Sequence, residues 1–211
     1  SGPLDALKKA MHGSEFVGYE SATTTGTIVG IIAQDRLCES ITEADAVPPT
    51  IEHKPDQLVT VILDKTSFYG ESGGQVGDTG WIEGPKGKFE VINTQREGGF
   101  FLHCGVLREG SFELGQEIHA HVDEGRRKAI RRAHTATHLV HAALQHFLGS
   151  HAVQQGSKVD ADILRFDFSH AAPVGHEMLR DIEAMANEST LVAAPVSANI
   201  LPLEEARHAG A

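Results

Sequence analysis

The chain has 211 residues, a formal net charge of -11, 40% hydrophobic and 22% charged residues. That suits one large or two small soluble globular domains, and the acid excess argues against indiscriminate nucleic-acid binding while leaving room for a local basic patch. No apolar run approaches membrane-spanning length and no signal peptide precedes Leu4, so a cytoplasmic protein with no membrane partner is expected. The two cysteines, Cys38 and Cys104, form no CxxC, and free thiols in a reducing compartment are the simplest reading.

Residues 4–11 read as a short helix. From Phe16 to about Val122 the character is β. Residues 23–32, rich in Thr, Ile, Val and Gly, suggest a strand pair with glycine breaks. Residues 38–55 are acidic and proline-bearing and read as a loop, and 58–63 as a β-branched strand. FYGESGGQVGDTGW, residues 68–81, carries glycines at 70, 73, 74, 77 and 80. Such a run marks a tight loop whose backbone can approach another group closely. Trp81 and Ile82, then 88–94, 100–106 and 115–122, are predicted as short strands, with Gly84-Pro85-Lys86-Gly87 and Glu97-Gly98-Gly99 as turns. His103 and Cys104 fall among them as barrel residues. Many short strands with regular turn signals predict a small barrel or a sandwich.

Residues 126–149 form one amphipathic helix. Val140, Ala143, Leu144 and Phe147 share a side at 3.6-residue spacing, flanked by Ala133 and Ala136. His134 and His138, four apart, stack on a face roughly opposite that stripe. Two neutral imidazoles at this spacing can bind one divalent metal. Thr135 stands where a zinc protease has its glutamate base, so that activity is not expected. His141 lies on the same face and lines whatever the pair faces. Arg126, Arg127, Lys128, Arg131 and Arg132 crowd the first turns, where the macrodipole prefers acids. A cationic start that disfavours the helix points to an anionic partner. Beyond Gly149, residues 163–168 form a half-buried strand through Leu164, Phe166 and Phe168, from which Arg165 and Asp167 alternate outward as a surface or supporting pair. His176–Leu191 is a second amphipathic helix, with Met178 or Leu179, Ile182, Met185 and Ala186 buried. A strand over 195–200 and a helix from Leu203 to His208 close the chain. The class is α+β. Residues 1–13 are a leader, 14–122 a β-barrel unit and 123–211 a two-layer α+β unit.

Several stretches together resemble one family in its order. They are FVGY at Phe16, LDKTSFYGESGGQVGDTG at Leu63, RRAHTATHLVHAAL at Arg131, QQGSKV at Gln154, LRFDFSH at Leu164 and LEEARHAGA at the end. The resemblance is to the editing domain of alanyl-tRNA synthetase, related to threonyl-tRNA synthetase editing domains and the free-standing AlaX trans-editing proteins. It implies hydrolysis of the ester of alanine tRNA wrongly charged with serine or glycine. It implies zinc held by His134 and His138, Gln154 in the pocket, and Gly73, Gly74 and Gln75 approaching the substrate. Alanine tRNA and the rest of a parent synthetase are the implied partners. The family's other zinc ligands lie in a Cys-x-x-x-His motif past the helix at Leu203, and this sequence ends before such a motif. The expectation is therefore a segment truncated at its C-terminus with an incomplete zinc site, folding without metal and weakly active or inactive. A tRNA-acceptor binding module without catalysis, an AlaX-like deacylase and an unrelated metallohydrolase are the other readings.

Overall fold

The computed structural model describes residues 2–45 and 58–191. Helix α1 (Leu4–Ala10) leads into β1 (Glu15–Phe16), β2 (Thr23–Ala33), β3 (Arg36–Leu37), β4 (Ser40–Thr42) and a single 3-10 turn, Glu43–Asp45. Then follow β5 (Val59–Leu63), β6 (Lys65–Thr66), β7 (Gly80–Glu83), β8 (Gly87–Glu97), β9 (Phe100–Glu113) and β10 (Glu117–Val122). Six strands run β10-β7-β8-β9-β5-β2, every pairing antiparallel. The sheet closes on itself where Ile118 of β10 faces Gly26 of β2 and Ala120 faces Thr24. Closure into a barrel removes the open edges that a six-stranded sheet would expose. Strict alternation drives it: on β10, Ile118, Ala120 and Val122 point inward while Glu117, His119 and His121 face water. Inside, Phe68, Phe89 and Phe112 pack with Ile28, Ile31, Val61, Leu63, Ile82 and Leu107. Burying each such side chain contributes roughly 1.5–3 kcal/mol. Outside, Leu4, Leu7 and Met11 cover Ile62, Phe100 and Leu102.

Two expectations about the barrel change. Residues 23–32 are not a strand pair: β2 runs unbroken from Thr23 to Ala33. Its glycines serve close packing, since a Cβ on Gly30 would press on Leu7 and Ile62 at 3.2 and 3.3 Å. The stretch expected as a loop from Cys38 holds β4 and the 3-10 turn, because Ser40–Thr42 pairs with the far end of β9. Strands β8 and β9 are also far longer than predicted. The β8–β9 pairing shifts register twice, with Arg108 as the extra residue on β9 and Ile92 as the extra residue on β8, and such bulges bend long strands around a small barrel.

Helix α2 (Glu124–Leu148) leaves the barrel directly from β10. Asp123 caps it by accepting from the Arg126 N–H at 3.0 Å, and Gly149, at φ +105°, ends it. An antiparallel hairpin, β11 (Gln154–Val159) and β12 (Leu164–Phe168), and then α3 (His176–Leu191) pack against its second half. Ala143, Leu144, Ala152 and Ile182 form that core, edged by Val140, Phe147, Phe166, Phe168 and Met185. The buried stripe of α3 is shorter than predicted. Ile182 and Ala186 are buried and Met185 partly so, while Met178 and Leu179, one turn earlier, are 37% and 44% exposed. The strand over 195–200, the helix from Leu203 and residues 46–55 of the acidic stretch lie outside the described residues.

Candidate functional site

The glycine-rich loop between β6 and β7 does approach another element closely. Gly73 and Gly74, at φ +59° and +81°, form the tip of a tight turn in which Ser72 and Gln75 exchange backbone hydrogen bonds of 3.2 and 3.0 Å. Beyond the tip the chain docks on β11. Val159 N–H donates to the Gly74 carbonyl at 3.0 Å, and Val76 N–H to the Val159 carbonyl at 3.3 Å. A Cβ on Gly74 would stand 2.7 Å from the Ser157 carbonyl oxygen, so a side chain there would lift the loop off the strand. On β11 the Gln154 Nε2 donates to Ser157 Oγ at 2.9 Å. The loop tip and Gln154 thus both meet Ser157, giving a patch of amide, hydroxyl and backbone polar groups at a partly exposed surface.

What holds this loop is a buried acid that sequence reasoning missed. Asp78 N–H donates to the Tyr69 carbonyl at 2.9 Å, and Tyr69 N–H donates to the Asp78 carboxylate at 2.7 Å, tying the loop's two ends together. Arg127 then reaches from α2. Its Nε donates to Asp78 Oδ2 at 3.0 Å, its Nη2 to the same oxygen and the Ser67 carbonyl, and its Nη1 to the Gly18 carbonyl at 3.1 Å. Arg127 is 8% exposed and Asp78 2%. This corrects the grouping of Arg127 with surface cations: its guanidinium joins α2, the loop and the segment after β1. Arg126 is also engaged, donating to the Gly77 carbonyl at 2.8 Å and lying 3.5 Å from Asp160 between β11 and β12. Lys128, Arg131 and Arg132 are exposed and form no ion pair among the described residues. The buried role was legible in part. At 100° per residue, Arg127, Ile130, Thr137 and Leu144 fall within an arc of about 100°, and all four are buried.

His134 and His138 do stand together on α2, ring centroids 5.6 Å apart with planes at 62°. Burial first, and the neighbouring His138 second, lower the pKa of His134 from its ordinary imidazole value, which favours the neutral ring. Among the described residues no cluster of three or more His, Cys, Asp or Glu side chains is placed to hold a metal. His141, one turn on, packs against Phe166 with centroids 5.4 Å apart, and its Nε2 is buried without a hydrogen-bond partner among the described residues. Arg165 and Asp167 form an exposed ion pair at 3.1 Å on the outer side of β12. His103 and Cys104 are barrel residues as expected. His103 is fully buried, its Nδ1 bonded to the Val61 carbonyl at 2.8 Å and its Nε2 to Thr66 Oγ1 at 2.7 Å. Burial pushes the Cys104 thiol up.

A histidine-bearing helix locked to a glycine loop and a barrel belongs to a known class of protein. The family model described as tRNA synthetases class II (A) matches residues 3–126. Curated alanine–tRNA ligases match the chain further, through the helix and the hairpin. That of Chelativorans sp. (strain BNC1) is 40% identical over 98% of this chain and 22% of its own length. That of Roseiflexus castenholzii is 42% identical over 94% of this chain and 21% of its own, and that of Acetivibrio thermocellus 40% over 94% and 21%. The chain belongs to the class II tRNA synthetase family, in its alanyl-tRNA synthetase branch. It spans about a fifth of the length of these relatives.

Proposed function

We propose that this chain is the editing segment of an alanine–tRNA ligase, hydrolysing the ester of alanine tRNA charged with serine or glycine. The observation that carries this reading is the docking of Gly74 and Gln75 on β11 beside Gln154 and Ser157, next to the helix of His134 and His138. A pocket for alanine rejects hydroxyl-bearing serine and smaller glycine only weakly, so a second, hydrolytic site is needed. Such a site must recognise the hydroxyl that alanine lacks. Gln154, with Ser157 and the Gln75 loop, supplies donors and acceptors suited to it. His134 and His138 fit as two ligands of a zinc ion, whose usual complement is three or four, and no third His, Cys, Asp or Glu is placed with them among the described residues. When bound, zinc supplies polarisation or positioning of the aminoacyl end. Arg127 and Asp78 act as positioning residues, fixing the loop relative to α2. Substituting Gln154→Ala within a full-length alanine–tRNA ligase is expected to slow hydrolysis of serine-charged alanine tRNA while charging with alanine continues. Equal hydrolysis by both would remove Gln154 from the site.

The same reading makes the exposed start of α2 a phosphate-binding face through Lys128, Arg131 and Arg132, with the engaged Arg126 at its edge. Arg131→Glu with Arg132→Glu is expected to weaken tRNA binding at low salt. Removing one cation–phosphate interaction flattens the slope of log affinity against log salt by roughly 0.7–0.9. Unchanged affinity and slope in a filter-binding titration would show that tRNA docks elsewhere.

A further inference from the structure

A second cleft, of about 450 Å³, opens on the first limb of the glycine loop, where Phe16, Tyr19, Tyr69 and Phe101 gather with Arg96 and Ser14. Phe16 is its centre. It stacks on Phe101 at 5.4 Å and 20°, and meets Tyr19 edge-on at 5.0 Å and Tyr69 at 6.4 Å. A cluster built only for packing would bury its aromatics, but Tyr19 is 83% exposed. The Arg96 guanidinium lies 5.6 Å from the Phe101 ring centroid and is the only charged group among the described residues that line the cleft. Ser14 Oγ is buried on the cleft wall with no hydrogen-bond partner among the described residues.

We infer that this cleft binds one unpaired nucleotide of an RNA, its base on the aromatic faces and its phosphate toward Arg96. The chemistry selects among ligands. Aromatic faces take planar rings or cations, and Arg96 repels a cation. A planar base with an attached anion satisfies both features, and the unpartnered Ser14 hydroxyl can meet a polar edge. The volume lies within the range of small-ligand sites, roughly 300–1,000 Å³. Tyr69 and Ser72 line this cleft, while Gly74 and Gln75 of the same loop dock on β11. A nucleotide held here would therefore press on the loop whose tip faces Gln154 and Ser157. The inference rests on the proposed function for its choice of RNA.

Its test is the binding of a fluorescently labelled, uncharged, single-stranded RNA hexamer to the full chain, followed by anisotropy. Tyr19 is exposed, so its replacement leaves the core intact. Tyr19→Ala is expected to weaken binding roughly 5- to 150-fold, the range for removing one base–aromatic stack, and Tyr19→Phe to restore it. Arg96→Gln should weaken binding too and flatten the salt slope by about 0.7. No saturable binding by the parent chain, or equal binding by parent and Tyr19→Ala, overturns the inference. The assay needs no hydrolysis, so its outcome is separate from that of the editing reading. Tyr19-dependent binding without ester hydrolysis in the full-length enzyme would sink that reading and keep the cleft.

Discussion

Asp78→Ala is expected to destabilise the chain by about 3–5 kcal/mol, the cost of removing one partner from a buried ion pair and leaving the other charge uncompensated. The loss has two parts. The Arg127 guanidinium keeps only the Gly18 and Ser67 carbonyls, and the Tyr69 N–H loses its acceptor, opening the base of the glycine loop. Asp78→Asn keeps an acceptor for Tyr69 and should cost less. Arg127→Met should cost a similar amount to Asp78→Ala, because it strands the carboxylate. Combining Asp78→Ala with Arg127→Met should cost clearly less than the sum of the two, since no unpaired charge remains. Urea denaturation of these variants beside the parent, compared by midpoint at constant slope, measures this. Strict additivity would mean that the pair does not join α2 to the loop energetically.

The second large effect is acid sensitivity from His103. Burial lowers its pKa to about 4 from 6.5, against a smaller raising contribution from the Val61 carbonyl. That carbonyl can only accept, so Nδ1 carries the proton, and Nε2 accepts from the Thr66 hydroxyl. Thr66 Oγ1 in turn accepts from the Phe68 N–H at 3.0 Å. The neutral ring is thus fully satisfied and a second proton has no place. The unfolded chain takes up that proton near pH 6.5, whereas the folded chain does so only near 4. The stabilising contribution is therefore complete above pH 6.5 and lost as pH falls toward 4, a swing of about 3 kcal/mol. Urea midpoints at about pH 7.5, 6, 5 and 4.5 for the parent and for His103→Leu separate this from the other histidines. The variant begins less stable, because Val61 and Thr66 lose partners, but its pH dependence should be shallower by that amount. Parallel profiles would show that His103 does not govern the acid response.

Sequence patterns reached most of the barrel because barrel strands alternate and their turns carry glycine. They stopped where tertiary geometry decides. Nothing local in Gln154–Val159 announces a strand: its residues are mostly polar, and it forms because β12 pairs on one side and the glycine loop docks on it. Nor does a glycine in Thr23–Ala33 reveal whether it breaks a strand or admits a neighbour such as Ile62. Charge misled at α2, where five cations looked alike. Arg127 differs because it shares a helical arc with Ile130 and meets an acid 49 positions earlier in the sequence. The histidine pair was legible because an i, i+4 spacing on one helix is local. Residues of other elements that could join such a pair are not announced by local spacing.

The most direct test of the editing reading compares ester hydrolysis of serine-charged and alanine-charged alanine tRNA by a full-length alanine–tRNA ligase carrying this segment. A site that requires the serine hydroxyl should hydrolyse the serine ester faster by on the order of 100-fold or more. Gln154→Ala should collapse that ratio by slowing the serine reaction. Equal rates for the two esters, unchanged by Gln154→Ala, would contradict the account.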